Sequence, residues 1–304
     1  MRIAVIGLDA FGAKATEALL EDGHEVAAIF TSHVVKRAAP LKEMAEQHAI
    51  PFYQTERMRN PEVVAGFKEL EVDLGIMAFV TDIVPIEILT CPKLGTIQFH
   101  PSLLPRHRGS SAINWAIIKG ETETGITIFW PDDGIDTGPI LLQKRVDILP
   151  DDTVGSLYFN RLFPMGIDAI VESVRLVATG NALKTVQNDS MSTYEPPCEE
   201  EHSLIDWGRP VSEVFNLIRG TNPQPGATTY YKNTKLKIYD SSRWEHPVEK
   251  PPGTVIEVTD EGFVVAACGG VIQVRRVKQQ GQPKLSAGNY ARDTGMKPSE
   301  KLHD

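Results

Sequence analysis

Leu74-Gly75-Ile76-Met77-Ala78-Phe79-Val80 is a run with no charged or polar side chain. It is short for a helix and too uniformly apolar for a strand with one wet face. Such a strand needs cover on both faces, which is the place of a strand inside a parallel sheet flanked by helices. The surrounding segments alternate accordingly. Arg2 to Gly7 and Glu25 to Phe30 read as strands, with a helix between them to about Asp22. A loop over 32–40, with His33, Lys36 and Arg37, leads to a helix from Leu41 to His48 and a short strand from Ile50 to Tyr53. Asn60 to Leu70 places Val63, Val64, Phe67 and Leu70 at helical spacing. This alternation, up to about residue 130, predicts an α/β fold with a doubly wound, mostly parallel sheet.

Gly7 and Gly12 flank the first strand-to-helix turn. Their spacing is not that of a dinucleotide fingerprint, and no acidic residue closes the next strand where a ribose would need one. Tight packing of strand on helix is the simpler reading of the two glycines.

The chemistry concentrates between residues 97 and 138. Thr96, Ile97 and Phe99 lead to His100, and Pro101 and Pro105 then forbid regular structure. Gly109 releases the chain into a helix over 110–119, and Gly125 to Trp130 reads as the next strand. The loop after it, Pro131 to Gly138, holds Asp132, Asp133 and Asp136 with Gly134 and Gly138. If the two strands are adjacent and parallel, their loops bring His100 and Asp136 together at the carboxyl edge, where α/β sheets bind ligands. Histidine titrates near neutrality and serves as general acid or electrophile. Gln98 lies two residues before His100, so both side chains leave the strand on one face. An amide there can donate to a developing oxyanion. Amide, imidazole and carboxylate together suit acyl transfer from a bound donor without a covalent nucleophile. A lone His–Asp pair is also a common structural device.

Net charge is −9 over 304 residues, which argues against a general nucleic-acid or membrane-surface role. Cys91, Cys198 and Cys268 are too far apart for a metal site or a disulfide framework, so a reducing cytoplasm is expected and no metal. Met1 to Gly7 is too short an apolar run for a secretory leader, and no segment is long enough to span a bilayer. Arg106 and Arg108 either bind anionic groups or pin their loop to carboxylates. His107 reads as a surface residue, Trp115 and Trp130 as core, and Trp207 as an anchor for the linker.

Pro139 to Val146 continues as a strand. A helix capped near Asp152 or Thr153 runs to about Gly180, with a kink expected at Pro164. Residues 186–203 are polar, with Pro196-Pro197 and Glu199-Glu200-Glu201, and read as an exposed linker. Short β-rich runs then follow between Ala227 and Val277, separated by turns rich in Gly and Asp, and suggest a small open barrel of the oligonucleotide-binding (OB-like) type. The expected organisation is a catalytic domain over 1–185, a linker over 186–203 and a β-barrel domain over 204–304.

The run HPSLLPRHRGSSAINWAIIKGETETG, with DDGIDTGPILLQ after it, resembles the 10-formyltetrahydrofolate-dependent formyltransferase family. The likeness is strongest to the hydrolase domain of 10-formyltetrahydrofolate dehydrogenase. Methionyl-tRNA formyltransferase and the UDP-aminoarabinose formyltransferase domain follow. LPDDTVGSLYFNRLFPMGI, IDWGRPVSEVFNLIRG and NPQPGA extend it over nearly the whole chain. The resemblance implies formyl transfer from 10-formyltetrahydrofolate as cosubstrate. It assigns His100 and Asp136 as catalytic and puts Gln98 where the family carries an oxyanion-binding Asn. The dehydrogenase hydrolase domain has an apolar residue at that place. The resemblance further implies that the folate is cradled by main-chain groups of the strand-end loop Met77, Ala78, Phe79, Val80 and Thr81 and by the loop at Pro131 to Asp136, with Asp132, Asp133 and Gly134. Pro101, Ser102, Leu103 and Leu104 would wall the formyl pocket. The acceptor is open: a small amine such as a sugar nucleotide, water (a hydrolase), or initiator tRNA. A catalytically weak folate- or RNA-binding protein is the alternative outside enzymology, and the oligomeric state is not encoded legibly.

Overall fold

A computed structural model describes residues 1–32, 35–80 and 82–303. His33 and Thr81 lie outside the described residues. The chain forms two compact units. The first comprises residues 1–110, 125–146 and 159–195; the second comprises 111–124, 147–158 and 196–304. The stretch 186–203, expected as a linker, is shared out. It belongs to the first unit up to Glu195 and to the second from Pro196.

The first unit is built on a seven-stranded sheet. In chain order its elements are β1 (Arg2–Gly7), α1 (Asp9–Glu21), β2 (Glu25–Ser32), α2 (Val35–Gln47), β3 (Phe52–Thr55), α3 (Pro61–Glu69), β4 (Leu74–Ala78), α4 (Ile86–Leu89) and β5 (Thr96–His100). After α5 (Ala112–Ile118), which belongs to the second unit, come β6 (Glu123–Phe129) and β7 (Ile140–Asp147). Strand order is β3-β2-β1-β4-β5-β6-β7. β1 to β5 are parallel, and β4 is buried at every residue, as its uninterrupted apolar run requires. α2 starts at Val35 where a loop was expected up to Pro40. The helix carries Pro40 within it.

The expected parallel pairing of the two functional strands is corrected: β6 runs antiparallel to β5, with Gln98 opposite Phe129 and His100 opposite Thr127. The apolar pattern of β6 is the same in either direction. In this direction the Thr127 hydroxyl, opposite His100, is bonded into the loop that leaves β5.

Aromatic packing places the carboxyl end of β5. Phe99 stacks on Phe11 of α1 with ring centroids 4.3 Å apart, and Phe163 meets Phe11 edge-on at 5.3 Å. Phe163 opens α7 (Phe163–Ala178). The expected kink comes just before Pro164, as a π-helical turn over Tyr158–Leu162 between the short α6 (Val154–Leu157) and α7. Gly7 and Gly12 serve close packing: a Cβ on Gly7 would lie 2.9 Å from the Ala78 carbonyl oxygen and 3.3 Å from the Gly12 Cα.

In the second unit, α8 (Val211–Gly220) precedes β8 (Ala227–Tyr231), β9 (Thr234–Glu245), β10 (Val255–Val258), β11 (Phe263–Ala267), β12 (Gly270–Gln279), β13 (Leu285–Ser286), α9 (Ala287–Thr294) and β14 (Leu302–His303). The order β10-β11-β12-β9-β8-β14 makes an antiparallel half-barrel, OB-like as expected, with β13 beside β12. Register breaks at Val274 and Arg276, where β12 pairs with β9, supply bulges of the kind that bend a sheet. Trp207 is buried in this unit's core and donates its indole N–H to Thr229 Oγ1 at 3.0 Å.

Candidate active site

β5 sorts its side chains by alternation. Phe99 enters the aromatic core, while Gln98 and His100 leave on the opposite face. Gln98 is half-buried between Met77 of β4 and Phe129 of β6. His100, at the carboxyl end of the strand, is buried.

The loop after His100 is fixed by one hydroxyl. Thr127 Oγ1 donates to the Ser102 carbonyl at 2.7 Å and accepts from the Leu104 N–H at 3.1 Å. The Gln143 amide adds donations to Thr127 Oγ1 at 2.9 Å and to the Leu104 carbonyl at 2.8 Å. Ser102 Oγ donates to the Arg106 carbonyl at 2.7 Å. Of the expected wall residues, Ser102 and Leu104 are buried and Pro101 and Leu103 half-buried; these bonds hold their loop, and the Ser102 hydroxyl is already committed.

His100 Nε2 lies 2.8 Å from the backbone carbonyl oxygen of His107. A carbonyl only accepts, so Nε2 carries hydrogen. Nδ1 then faces Asp136, with Oδ2 at 3.4 Å. The same Oδ2 accepts the Gly109 N–H at 2.8 Å, and Asp136 is itself buried. One ring nitrogen is locked to the backbone, and the other meets the carboxylate.

Asp136 arrives on a tightly folded loop. Trp130 N–H donates to the Pro139 carbonyl at 2.9 Å and closes it. Asp132 Oδ1 accepts from the Gly134 N–H at 3.1 Å and from Thr137 Oγ1 at 2.5 Å. A Cβ on Gly138 would sit 1.8 Å from the Trp130 carbonyl oxygen, so only glycine fits there. The loop leaves β6 beside Gln98 and folds back until Asp136 reaches His100.

Residues 1–174 match the formyl transferase family, and residues 198–295 match the formyl transferase C-terminal domain. The chain belongs to the formyl transferase family. It is 44% identical over 248 residues to the cytosolic 10-formyltetrahydrofolate dehydrogenase of Xenopus laevis, covering 80% of this chain and 28% of that protein. It thus spans less than a third of that relative's length. To the methionyl-tRNA formyltransferase of Geotalea daltonii it is 37% identical over 297 residues, covering 95% of this chain and 94% of that one. The solved structure of HypX from Aquifex aeolicus in complex with tetrahydrofolic acid shares the fold. Its TM-score is 0.69 at 18% identity, over 99% of this chain and 48% of that chain.

In this formyl transferase the remaining sequence-predicted residues divide by exposure. Met77 and Ala78 are core residues of β4, and the Ala78 carbonyl accepts the Leu8 N–H at 3.3 Å. Phe79 and Val80, just beyond the strand, are half-exposed, and Phe79 has a positive φ of 62°. Asp132, Asp133 and Gly134 are exposed at the tip of the second loop. Among the described residues no helix is long and apolar enough to cross a membrane, and no group of three His, Cys, Asp or Glu side chains could hold a metal ion.

Two features went unread in the sequence. His107, expected at the surface, is buried with its Nδ1 3.2 Å from Glu195 Oε2. Its backbone carbonyl is the one that meets His100 Nε2. Of the two readings of Arg108, the structural one is realised: it donates to Gln187 Oε1 and Asp189 Oδ1 at 2.8 and 2.7 Å. A polar stretch without periodicity carries no signal for such contacts.

Proposed function

We propose that this formyl transferase takes the formyl group from 10-formyltetrahydrofolate and delivers it to a small amine, such as an amino sugar nucleotide. The observation that carries the reading is the buried His100–Asp136 pair at the carboxyl end of β5, with Nε2 committed to the backbone and Nδ1 turned to the carboxylate. The folate is a cosubstrate here, and the residues present suit it. Backbone groups of Phe79 and Val80 would meet the edge of a flat heterocycle. Pro101, Leu103 and Leu104 would supply apolar walls, and Asp132, Asp133 and Gly134 an exposed rim.

The roles follow from the geometry. As the acceptor nitrogen bonds to the formyl carbon, negative charge builds on the formyl oxygen, and the Gln98 amide is the side-chain donor on that face of β5. The proton given up by the amine passes to the Nδ1–Asp136 pair, and from there to the folate nitrogen whose bond to the formyl carbon breaks. No covalent enzyme intermediate is required. The three free thiols, Cys91, Cys198 and Cys268, suit a reducing cytoplasm.

Water as acceptor is the second reading. It is favoured by the 44% identity to a 10-formyltetrahydrofolate dehydrogenase and by Gln98, which carries its amide one methylene further out than the family's Asn. The test is tetrahydrofolate release from 10-formyltetrahydrofolate, followed by absorbance, first alone and then with amino sugar nucleotides and charged initiator tRNA. Release that depends on one small amine supports transfer and names the acceptor. Release in water alone makes the chain a hydrolase, and dependence on tRNA replaces the small amine. Binding without release under every condition overturns the catalytic reading.

A further inference from the structure

Residues 185–195 combine polarity and burial in an inverted way. Gln187 and Glu195 are each 7% exposed, whereas Val186, Met191 and Tyr194 are 82%, 59% and 60% exposed. Hydrophobic burial does not produce that pattern. Polar side chains buried in preference to apolar ones mark a segment held by directed hydrogen bonds.

Those bonds converge on the two loops of the candidate site, all within the first unit. Gln187 spends its amide completely. Nε2 donates to the carbonyls of Asp136 and Gly138 at 2.8 and 2.7 Å, and Oε1 accepts from Arg108 Nη2 at 2.8 Å. Glu195 Oε2 lies 3.2 Å from His107 Nδ1, and Thr193 Oγ1 accepts the His107 N–H at 2.8 Å. Asp136 and His107 both have a positive φ of 55°. For residues with a Cβ that conformation is strained and persists only where the surroundings impose it. One of these residues supplies the carboxylate facing His100. The other supplies the carbonyl that fixes its tautomer.

We propose that Gln187 and Glu195 are positioning residues of the His100–Asp136 centre. Gln187 holds the Asp136 peptide, and Glu195 holds His107 so that its carbonyl keeps the hydrogen of His100 on Nε2. The proposal rests on the formyl-transfer reading for its catalytic consequence, but its structural content is measurable without substrate.

The experiment uses the full chain with ¹⁵N-labelled histidine and backbone amides. In the wild type, His100 shows hydrogen fixed on Nε2, and the Gly109 amide shows the shift of a bond to a carboxylate, reflecting its 2.8 Å contact with Asp136. Glu195→Ala is expected to give a mixture of His100 tautomers, and Gln187→Leu to move the Gly109 amide resonance. Glu195→Gln keeps an acceptor for His107 and is expected to retain the wild-type tautomer. With turnover established, Glu195→Ala and Gln187→Leu lower kcat by roughly ten- to a hundredfold while KM for the donor stays within about twofold, as misplacement of a catalytic group does. A purely structural strap would lower the melting temperature and leave the His100 and Gly109 signals unchanged, and that result overturns the proposal. Loss of the tautomer in Glu195→Gln as well would overturn the role given to Glu195. A wild type without turnover would refute the function proposed above, while the two resonances would still decide the positioning role.

Discussion

The imidazole Nε2 of His100 lies 2.8 Å from the backbone carbonyl oxygen of His107, which leaves Nδ1 as the only nitrogen free to exchange a proton. It faces Asp136 Oδ2 at 3.4 Å. A glutamine at position 100 places an amide N–H near where Nε2 stands but cannot shuttle a proton. His100→Gln is therefore expected to melt close to the wild type and to lose about 10² to 10⁴ in kcat, the usual worth of a general acid–base. His100→Ala also strands a buried carbonyl and should cost a further ~1–3 kcal/mol of stability. Thermal melts and initial rates on the two variants check both statements.

Gln98 shares its face of β5 with His100 and is half-buried, so its amide is the side-chain donor best placed for the formyl oxygen. Gln98→Leu keeps the shape and removes the donor. A fall of about a hundredfold in kcat is expected, with donor affinity nearly unchanged, because such a donor acts mainly on the charge that develops during reaction. Gln98→Asn restores the family's residue; a higher rate of transfer in that variant would mean that the longer side chain sets the amide poorly.

Gly138 tests how tightly the Asp136 loop must close. Gly138→Ala places a methyl 1.8 Å from the Trp130 carbonyl oxygen, against backbone that cannot move alone. The variant should be destabilised by about 1–3 kcal/mol through overpacking and should lose activity out of proportion to that cost. Chemical denaturation and kcat on one preparation separate the two effects.

In the second unit, Glu300 accepts from Tyr231 Oη and from the Lys297 N–H, both at 2.7 Å, and its carboxyl is held down to about 2, the Tyr231 bond being the largest cause. A carboxyl lowered by folding stabilises the fold above its ordinary value of 4.5, and that contribution fades as pH falls toward 2. The melting temperature of Glu300→Gln should therefore lie below the wild type's at pH 7, and the gap should narrow steadily between pH 5 and pH 2. A gap independent of pH would remove the carboxylate from the explanation.

Much of the site's layout was legible before the structure, for identifiable reasons. Alternation along Gln98-Phe99-His100 fixed which side chains share a face, and the all-apolar Leu74 to Ala78 placed its strand inside the sheet. The direction of β6 was not legible, because an apolar run such as Ile126, Ile128 and Phe129 reads the same whichever way the strand runs. His107 was misread because Arg106 and Arg108 on either side suggest solvent. Gln187 and Glu195 were hidden for a related reason: their burial answers strain at Asp136 and His107, and no local pattern records strain elsewhere in the chain.

The measurement that bears most directly on the account is single-turnover consumption of 10-formyltetrahydrofolate by the wild type and by Asp136→Asn, with whichever acceptor, amine or water, supports the reaction. Asp136→Asn keeps the loop's shape and a group able to accept the Gly109 N–H, while removing the carboxylate that handles the proton. The account predicts consumption by the wild type and a rate at least about a hundredfold lower in the variant, with folate affinity retained. Equal rates in the two proteins would contradict it, because the His100–Asp136 pair would then take no part in moving the formyl group.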